Sequence, residues 1–313
     1  MTGFLIQKAG VLALLQDQGR FGYQQLGLTQ GGAVDKMAFY WANRLCQNKL
    51  SATAIELTVG GMSLLAQGKA TIALTGANMP LLINGEKKPL WQSHTVVVGD
   101  VIEIGYAQQG LRSYLAVSNG FIVKPSFNSS ATVCREGIGG LRGEKLTVGD
   151  FLPIHALSTL PKYHLKLALK HQPVYAQEVV LRTIPSYQQH HFSAYQQRLF
   201  YSSEFKVSEQ CDRMGYRLTG KTIKANIDGI LSEGICHGAV QIPADGQPIV
   251  LLNDRQTIGG YPKIGSVISL DTAKLAQLGQ GGKVRFEPIS MEAAHNINHL
   301  AFSLFERTQL NTC

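Results

Sequence analysis

Short hydrophobic segments separated by glycine turns fill the chain between residues 55 and 117. Glycine adopts positive φ angles at little steric cost, so glycines between apolar segments predict tight turns that join short strands. Asn84-Gly85 stands between two such segments, and this pair favours the two-residue turn of a β-hairpin. A second region of the same kind runs from Phe205 to Leu270. The pattern predicts a mainly β protein.

A few other segments carry apolar residues at the three-to-four spacing of an amphipathic helix. Helices are predicted at residues 33–47, at 187–199 with Ser186 as N-cap, at 272–278 with Asp271 as N-cap, and from Ser290 onward. These helices are short and lie among many predicted strands. The chain is therefore not expected to be a helical bundle.

The chain has 313 residues, which exceeds an ordinary single domain and suits two domains. We predict an N-terminal β domain at residues 1–157 and a C-terminal β domain, with a terminal helix, at residues 158–313. Ser158–His171 contains Pro161 and several lysine and histidine residues, and is interpreted as the linker. Hydrophobic residues make up 44% of the chain, enough for two cores, so a disordered chain is excluded.

The charge balance is basic, because lysine and arginine exceed aspartate and glutamate by 29 − 21 = 8. The basic residues are scattered rather than gathered into a stripe, so a nucleic-acid partner is not expected and an anionic substrate or an acidic partner protein fits better. The five cysteines form no CxxC pair, which argues against a disulfide framework or a zinc site and favours a cytoplasmic location. No apolar run approaches the roughly 18 residues of a membrane span, so no membrane association is expected.

Residues 215–222 match the phosphate-loop pattern GxxxxGK[ST] letter for letter. A true phosphate loop follows a buried strand and opens a helix, whose first backbone amides bind the phosphates. The residues before Gly215 are mostly polar, and residues 223–227 alternate between apolar and polar. We therefore predict a strand, a turn and a second strand here, and no phosphate loop.

Two polar clusters are candidates for function. Asp17, Arg20 and Asp35 bracket a glycine-rich loop, where they could bind an anion or could merely fix the loop. The second cluster follows the apolar strand of residues 249–252 and consists of Asp254, Arg255, Gln256 and Thr257, with Tyr261 beyond a Gly-Gly turn and Glu233 upstream. Polar side chains delivered together to a strand end need partners or a ligand, so we interpret this second cluster as functional.

These clusters lie in motifs that resemble one known family. The motifs are Asp17-Gln18-Gly19-Arg20, Gly31-Gly32 with Asp35, Leu74-Thr75-Gly76-Ala77, Arg135-Glu136-Gly137-Ile138-Gly139-Gly140, Cys211 to Leu218, and Asp245 to Pro262. Together they are similar to the biotin-dependent carboxyltransferase / allophanate hydrolase subunit 2 family over nearly the whole chain. The resemblance implies a mainly β fold of two cyclophilin-like β-barrel domains with a few short helices.

The family includes the C subunit of the bacterial ATP-dependent 5-oxoprolinase and the antagonist of a sporulation-kinase inhibitor. The resemblance most favours the oxoprolinase role, in which the chain acts with a subunit-1-type protein (the B subunit) and with the A subunit to cleave 5-oxo-L-proline to L-glutamate. A lactam is a stable amide, and phosphorylation of its oxygen would supply both an electrophile and a leaving group. The resemblance therefore implies ATP and Mg²⁺ as cofactors of the complex. The chain lacks a Met-Lys-Met motif, so it is expected to carry no covalently attached biotin.

The resemblance also implies roles for individual residues. Asp254 would act as a metal ligand or base, Arg255 as a clamp for phosphate or carboxylate, and Gln256 as a third catalytic residue. The implied substrate-binding residues are Arg20, Asp17, Asp35, Thr257, Tyr261, Glu233 and Arg135. Two alternative functions stay open: a regulatory binding protein that antagonises a kinase inhibitor, and one part of a urea or amide carboxyltransferase.

Overall fold

A computed structural model describes residues 2–159 and 161–313. The chain divides into two compact units: the first comprises Met1–Phe21, Gly31–Tyr175 and Gln309–Cys313, and the second comprises Gly22–Gln30 and Ala176–Thr308. These units differ from the predicted domains at residues 1–157 and 158–313, because residues 161–175 pack with the first unit. Leu167 in this segment is buried, and its backbone N–H donates to the Trp91 carbonyl at 2.9 Å. The predicted linker, of which Leu160 lies outside the described residues, is therefore largely part of the first unit.

The first unit consists of two antiparallel sheets around one hydrophobic core. Its strands are β1 (Gly3–Ala9), β2 (Leu12–Gln16), β3 (Ala54–Thr58), β4 (Gly60–Ala66), β5 (Ala70–Asn78), β6 (Leu81–Ile83), β7 (Glu86–Lys88), β8 (Ser93–Val96), β9 (Val101–Tyr106), β10 (Gln109–Val117), β11 (Phe151–Pro153) and β12 (Leu165–Lys166). The sheets have the orders β11-β1-β4-β9-β6-β7 and β2-β3-β10-β5-β8. Alternate side chains of both sheets point into the shared core, as the period of two in a strand requires.

Helix α1 (Lys36–Leu45) packs against β5 and β10 of the first unit. Its N-cap is Asp35, whose carboxylate accepts a hydrogen bond from the Ala38 backbone N–H at 3.1 Å. The helix buries Phe39, Trp41 and Leu45. It is shorter than the predicted span of residues 33–47 because Asp35, rather than a residue before Ala33, ends the preceding loop.

The predicted hairpin at Asn84-Gly85 is confirmed between β6 and β7. Asn84 has a φ angle of 55° and Gly85 one of 78°, so both central residues adopt the left-handed conformation that a type I′ turn requires. The Asn84 side chain also accepts a hydrogen bond from the Val101 backbone N–H at 2.8 Å. This contact joins the turn to the neighbouring strand.

The second unit is built on a closed seven-stranded barrel with the strand order β13-β20-β17-β18-β15-β14-β21. Its strands are β13 (Glu178–Pro185), β14 (Glu204–Cys211), β15 (Gly215–Thr219), β16 (Glu233–Gly234), β17 (Ala239–Gln241), β18 (Ile249–Leu251), β19 (Ile258–Gly259), β20 (Lys263–Val267) and β21 (Lys283–Pro288). Strands β13 and β21 pair in parallel and the other barrel pairs are antiparallel. A separate pair, β16 and β19, stands outside the barrel.

The helices of the second unit are 3-10 helices at Gln24–Leu26 and Tyr187–His191, α2 (Ala194–Ser202), α3 (Ser269–Leu275) and α4 (Met291–Arg307). The helix predicted at residues 187–199 is divided into two: Ser186 caps the 3-10 helix, as predicted, but Ser193 interrupts the span and caps α2. Asp271 is not an N-cap either: it lies inside α3, where its carboxylate accepts hydrogen bonds from the Arg182 side chain. Ser290 does cap α4, as predicted. A final strand, β22 (Asn311–Thr312), belongs to the first unit, where it pairs with β12.

The phosphate-loop pattern at residues 215–222 forms strand β15 of the barrel and opens no helix at Lys221, so the prediction against a phosphate loop is confirmed. The predicted second strand at residues 223–227 is wrong. Ile223 and Asn226 instead bond through their backbone N–H groups to the carbonyls of Gly246 and His191. The prediction of a mainly β chain with a few short helices is confirmed, and the closed seven-stranded barrel of the second unit agrees with the predicted barrel architecture. Among the described residues, no helix combines the length and apolar character needed to cross a membrane.

Candidate functional site

Asp254 lies in the loop that follows β18 and forms a buried ion pair with Arg213. The Arg213 Nε and Nη2 atoms each donate to a different carboxylate oxygen of Asp254, both at 2.9 Å. The exposed fraction is 5% for Arg213 and 6% for Asp254. The Asp254 backbone N–H also donates to the Arg213 carbonyl at 2.9 Å. This bidentate pair fixes the loop after β18 to the turn between β14 and β15.

Arg255, the next residue, is also buried but is held in a different way. Its Nε donates to the Ile235 carbonyl and its Nη1 to the Leu252 carbonyl, each at 3.2 Å. Burial lowers the pKa of the Arg255 guanidinium, but an arginine stays protonated at neutral pH. Carbonyl dipoles fix the orientation of this cation without cancelling its charge.

Arg255, Gln256 and Tyr261 line one cleft of about 470 Å³ in the second unit, which we call the barrel cleft. Two lining residues that the sequence analysis did not select, Arg217 on β15 and Gln241 on β17, add a second guanidinium and an amide. The remaining lining residues are Glu209, Gln210, Cys211, Asp212, Met214, Gly215, Ile235, Ile249 and Leu251. The cleft therefore combines two guanidinium groups, two carboxylates and several amides with an apolar wall.

Of these two residues, Arg217 carries a signal in the sequence. Arg217 lies within the family-like motif that runs from Cys211 to Leu218, and it alternates with the buried residues Tyr216 and Leu218. Arg217 forms an ion pair with Asp245 at the surface. The signal was a charged side chain at a strand position between two core positions.

Glu233 and Thr257 lie on or beside the β16–β19 pair and do not line the barrel cleft. One oxygen of Glu233 accepts hydrogen bonds from Lys263 Nζ, from Tyr187 Oη and, at 2.7 Å, from Gln188 Nε2. The hydrogen bond from Lys263, followed by that from Tyr187, holds the pKa of the Glu233 carboxyl below its usual value. The Thr257 carbonyl accepts from the Ile235 N–H at 3.0 Å. These contacts anchor the segments that carry Ile235 and Tyr261.

Asp17 and Arg20 are engaged with one loop of the first unit. Asp17 accepts hydrogen bonds from Ser129 Oγ and from the Ser130 backbone N–H, both at 2.7 Å. Arg20 has an exposed fraction of 1% and donates to the carbonyls of Ser126 and Ala131, each at 3.1 Å. Of the two alternatives left open by the sequence, these contacts favour the one in which Asp17 and Arg20 fix the loop.

Asp35 and Arg135 are the other predicted residues in the first unit. Besides capping α1, the Asp35 carboxylate accepts a hydrogen bond from the Tyr175 hydroxyl at 3.0 Å. Arg135 lies in a 3-10 turn at Cys134–Glu136 and approaches the Glu136 carboxylate at 3.5 Å. Within this unit the structure joins Asp17 and Arg20 through one loop, while Asp35 lies at the start of α1 and Arg135 in the 3-10 turn.

The donor chemistry of these residues does not suit Mg²⁺. Magnesium is usually held by one or two carboxylates together with substrate phosphates and water. Both carboxylate oxygens of Asp254 accept hydrogen bonds from Arg213, and no group of three or more His, Cys, Asp or Glu residues in the described parts of the chain could hold a metal. We therefore derive no step that passes through magnesium on this chain.

A solved structure shares the fold of this chain. The crystal structure of Kluyveromyces lactis urea carboxylase superposes with a TM-score of 0.92 over 98% of this chain, at 23% sequence identity. The chain spans only 29% of the length of that protein. At this level of identity, the likeness concerns the fold alone.

Comparison of the sequence with known proteins shows a match to the family described as "Carboxyltransferase domain, subdomain A and B", over residues 26–288. The chain is 36% identical over 292 residues to the C subunit of 5-oxoprolinase from Escherichia coli (strain K12), and the match covers 92% of each chain. It is 34% identical over 283 residues to the C subunit of 5-oxoprolinase from Haemophilus influenzae, with 90% of each chain covered. The chain therefore belongs to the carboxyltransferase domain (subdomain A and B) family.

Proposed function

We propose that this chain is the C subunit of an ATP-dependent 5-oxoprolinase that acts with the A and B subunits in the cytoplasm. The observation that carries the proposal is the match over 92% of both chains, at 36% identity, to a protein named as this component of 5-oxoprolinase. A match of this extent leaves little of either chain outside the comparison. The barrel cleft supplies independent chemical support.

The barrel cleft has groups that complement 5-oxo-L-proline. This substrate carries a carboxylate, a lactam N–H donor, a lactam carbonyl acceptor and an apolar ring. A fixed guanidinium such as that of Arg255 pairs well with a carboxylate or with a phosphorylated oxygen. The side-chain amides of Gln241 and Gln256 could bond to the lactam, and Ile235 and Leu251 offer an apolar wall to the ring.

In the proposed reaction, the lactam oxygen attacks the γ-phosphorus of ATP, the bond between the γ-phosphorus and the bridging oxygen breaks, and ADP leaves. Water then adds to the activated carbon, and the carbon–nitrogen bond breaks as the nitrogen takes up a proton, which leaves an acyl phosphate. A second water attacks the acyl carbon, and phosphate departs with the former lactam oxygen. Glutamate, ADP and phosphate are the products. Arg255 would stabilise negative charge on the lactam oxygen, and Asp254 would position Arg255 by fixing the loop after β18. ATP and Mg²⁺ are required by the complex in this proposal.

The direct test is ATP-dependent release of glutamate from 5-oxo-L-proline, measured with the A and B subunits present and with this chain included or omitted. We expect turnover only when the chain is present. Equal turnover without it, with every protein folded, would contradict the proposal. Binding to a kinase-inhibitor protein without turnover would favour the regulatory alternative, and carboxyl transfer from carboxybiotin would favour the carboxyltransferase alternative.

Variants of the cleft test the assignment of residues. Arg255→Lys keeps the positive charge but loses the planar fork, so we expect kcat/KM to fall by about 10²-fold. Arg198→Lys makes the same exchange at an exposed position of α2 and should leave turnover unchanged. Full activity of Arg255→Lys would remove Arg255 from the proposed site while leaving the proposed role of the chain in the complex intact.

A further inference from the structure

A row of paired residues crosses neighbouring strands of the second unit's barrel at the barrel cleft. Arg217 on β15 pairs with Ile249 on β18, and Ile249 pairs with Gln241 on β17. Gln241 pairs on its other side with Lys263 on β20. Side chains directly opposite each other in antiparallel strands lie on one face of the sheet. Arg217, Ile249 and Gln241 line the barrel cleft, so this row forms part of its wall.

Gln241 differs from the charged members of the row because its side chain has no hydrogen-bond partner. Arg217 is paired with Asp245, and Lys263 Nζ donates to Glu233. The Gln241 carboxamide forms no hydrogen bond with any residue that the structure describes, although Gln241 is only 6% exposed. A carboxamide has two N–H donors and an acceptor oxygen, and such groups are rarely left unsatisfied when they are buried. The free amide therefore indicates a ligand in the barrel cleft.

The other side-chain amides of the barrel cleft do not need a ligand in this way. Gln210 and Gln256 are exposed, so water can satisfy their donors and acceptors. Gln241 is buried in the wall of the cleft, and its amide gains more from a ligand than an amide that water already solvates. Gln241 is therefore the amide at which a ligand contributes most.

Gly259 leaves the space that the Gln241 amide occupies. It is not among the residues with a positive φ angle, so its backbone conformation does not require glycine. A Cβ atom at this position would lie 2.9 Å from Gln241 Nε2 and would overlap Ile235 Cδ1, and both of these residues line the barrel cleft. Gly259 is therefore a positioning residue for the Gln241 amide.

The hydrogen-bonding edge of a carboxamide selects a particular arrangement of partners. Its oxygen accepts and its N–H donates side by side, so it pairs with a group that presents a donor and an acceptor on one edge, as glutamine does with adenine. Lactams and cyclic ureas present an N–H and a C=O on one edge, because the ring holds the amide in the cis form. An open-chain secondary amide is trans and presents these two groups on opposite edges.

We propose that Gln241 is a specificity-determining residue that binds the cis-amide edge of a cyclic ligand through two parallel hydrogen bonds. Gln241 Oε1 accepts from the ring N–H, and Nε2 donates to the ring carbonyl. Arg255 offers a positive charge in the same cleft, which favours a lactam or cyclic urea that is also anionic. The choice of 5-oxo-L-proline within this class rests on the proposed function, whereas the preference for a cis-amide rests on Gln241.

Isothermal titration calorimetry of the full chain tests this preference with four ligands that share a carboxylate. The lactam 5-oxo-L-proline and the cyclic urea 2-oxoimidazolidine-4-carboxylate both keep the cis-amide edge, and we expect both to bind. N-methyl-5-oxo-L-proline has no ring N–H and N-acetylglycine is a trans amide, so we expect each to bind at least about tenfold more weakly than 5-oxo-L-proline. Affinity equal to that of 5-oxo-L-proline for either of them would refute the proposal, as would absence of binding by both cyclic ligands.

Substitution of Gln241 locates the contact. Gln241→Met keeps the length of the side chain but removes the amide, so it should weaken binding of 5-oxo-L-proline at least about tenfold. It should change binding of N-methyl-5-oxo-L-proline less than about threefold, because that ligand cannot form the paired hydrogen bonds. Gln189→Met makes the same exchange at an exposed position of the same unit and should alter neither affinity. Equal weakening of both ligands by Gln241→Met would indicate a merely structural role and would contradict the proposal.

Substitution of Gly259 tests the position of the amide without removing it. Gly259→Ala should displace the Gln241 side chain and weaken binding of 5-oxo-L-proline by about tenfold. Gly279→Ala is the matched control, because no atom lies within 4 Å of a Cβ added at Gly279, and it should leave the affinity unchanged. Full affinity in Gly259→Ala would contradict the positioning role of Gly259.

This test and the test of the proposed function can fail separately. The titration measures binding by this chain, whereas the glutamate assay measures turnover by the complex. Selective binding of the two cyclic ligands without oxoprolinase turnover would support the role of Gln241 and remove the proposed function. Turnover in the complex with an unchanged KM for Gln241→Met would do the reverse.

Discussion

The buried ion pair with Arg213 gives Asp254 a structural role that is distinct from a role in catalysis. The substitution Asp254→Asn tests this structural role. The two side chains are almost fully buried and share two hydrogen bonds of 2.9 Å. With the charges about 4 Å apart and an effective dielectric constant of about 20, their attraction is about 4 kcal/mol. Removing one partner of a buried pair costs about 3–5 kcal/mol, because the other charge stays buried without compensation.

We therefore expect Asp254→Asn to lower the free energy of unfolding by about 3 kcal/mol, since asparagine keeps one acceptor for Arg213. Urea unfolding followed by far-ultraviolet circular dichroism measures this loss, and the midpoint should fall by about 1–2 M. Arg213→Met combined with Asp254→Leu removes both charges, so it should be more stable than Asp254→Asn and lie within about 1 kcal/mol of the natural chain.

The double substitution also tests the chemical role. If Asp254 only positions Arg255, the stable double variant should retain substantial glutamate release. Any loss of activity should then appear mainly as a raised KM. If Asp254 is a base or a metal ligand, the double variant should be stable yet inactive. A stability of Asp254→Asn within about 0.5 kcal/mol of the natural chain, or additive losses in the double variant, would refute the reasoning from the pair.

Three further predictions concern other parts of the chain. Burial raises the pKa of the Asp271 carboxyl, but hydrogen bonds from Arg182 and then Lys274 outweigh this effect and hold the pKa below its usual value. Asp271 therefore stabilises the fold at pH values above its unfolded-state pKa, and this contribution is lost as the pH falls through the folded-state pKa. Measured stability should consequently depend less on pH in the acid range for Asp271→Asn than for the natural chain. Gly85→Ala should cost about 1 kcal/mol in urea unfolding, because the φ angle of 78° is strained for alanine although no atom lies near the added Cβ. Burial raises the pKa of the Cys46 thiol, so a thiol reagent at pH 8 should label the exposed cysteines and reach Cys46 only after unfolding, as peptide mass mapping would show.

Local signals in the sequence predicted the elements that depend on local physics. The Asn84-Gly85 turn and the Ser290 cap follow from backbone preferences of single residues, and both are present in the structure. Asp271 shows the limit of this reasoning. Its position before an apolar run is typical of a cap, but the distant Arg182 binds its carboxylate and the helix begins two residues earlier. A partner on another strand is invisible to a local pattern.

The residues of the candidate site also fall into those that the sequence indicated and those that it could not indicate. The sequence indicated that polar residues gather after β18, and three of them do line the barrel cleft. It could not indicate that Arg213 would take both oxygens of Asp254, because the two residues are separated by 41 positions. Arg217 and Gln241 reach the cleft because β15 and β17 both pair with β18. The pairing of β15 with β18 joins residues more than 30 positions apart, and no short motif encodes it.

The two arginines beside Asp254 differ in what surrounds their charge, and this difference decides which of them can bind a ligand. Arg213 faces a carboxylate, so the pair is neutral as a whole and has little left to offer an anion. Arg255 is fixed by two backbone carbonyls and forms no ion pair within the described chain, so its positive charge remains available in the barrel cleft. Desolvating such a cation is costly, as the lowered pKa of Arg255 records. An anionic ligand would recover that cost by supplying the missing counter-charge. In the proposed site the two adjacent residues therefore have different roles: Asp254 stabilises the loop, and Arg255 supplies the charge that an anionic ligand would pair with.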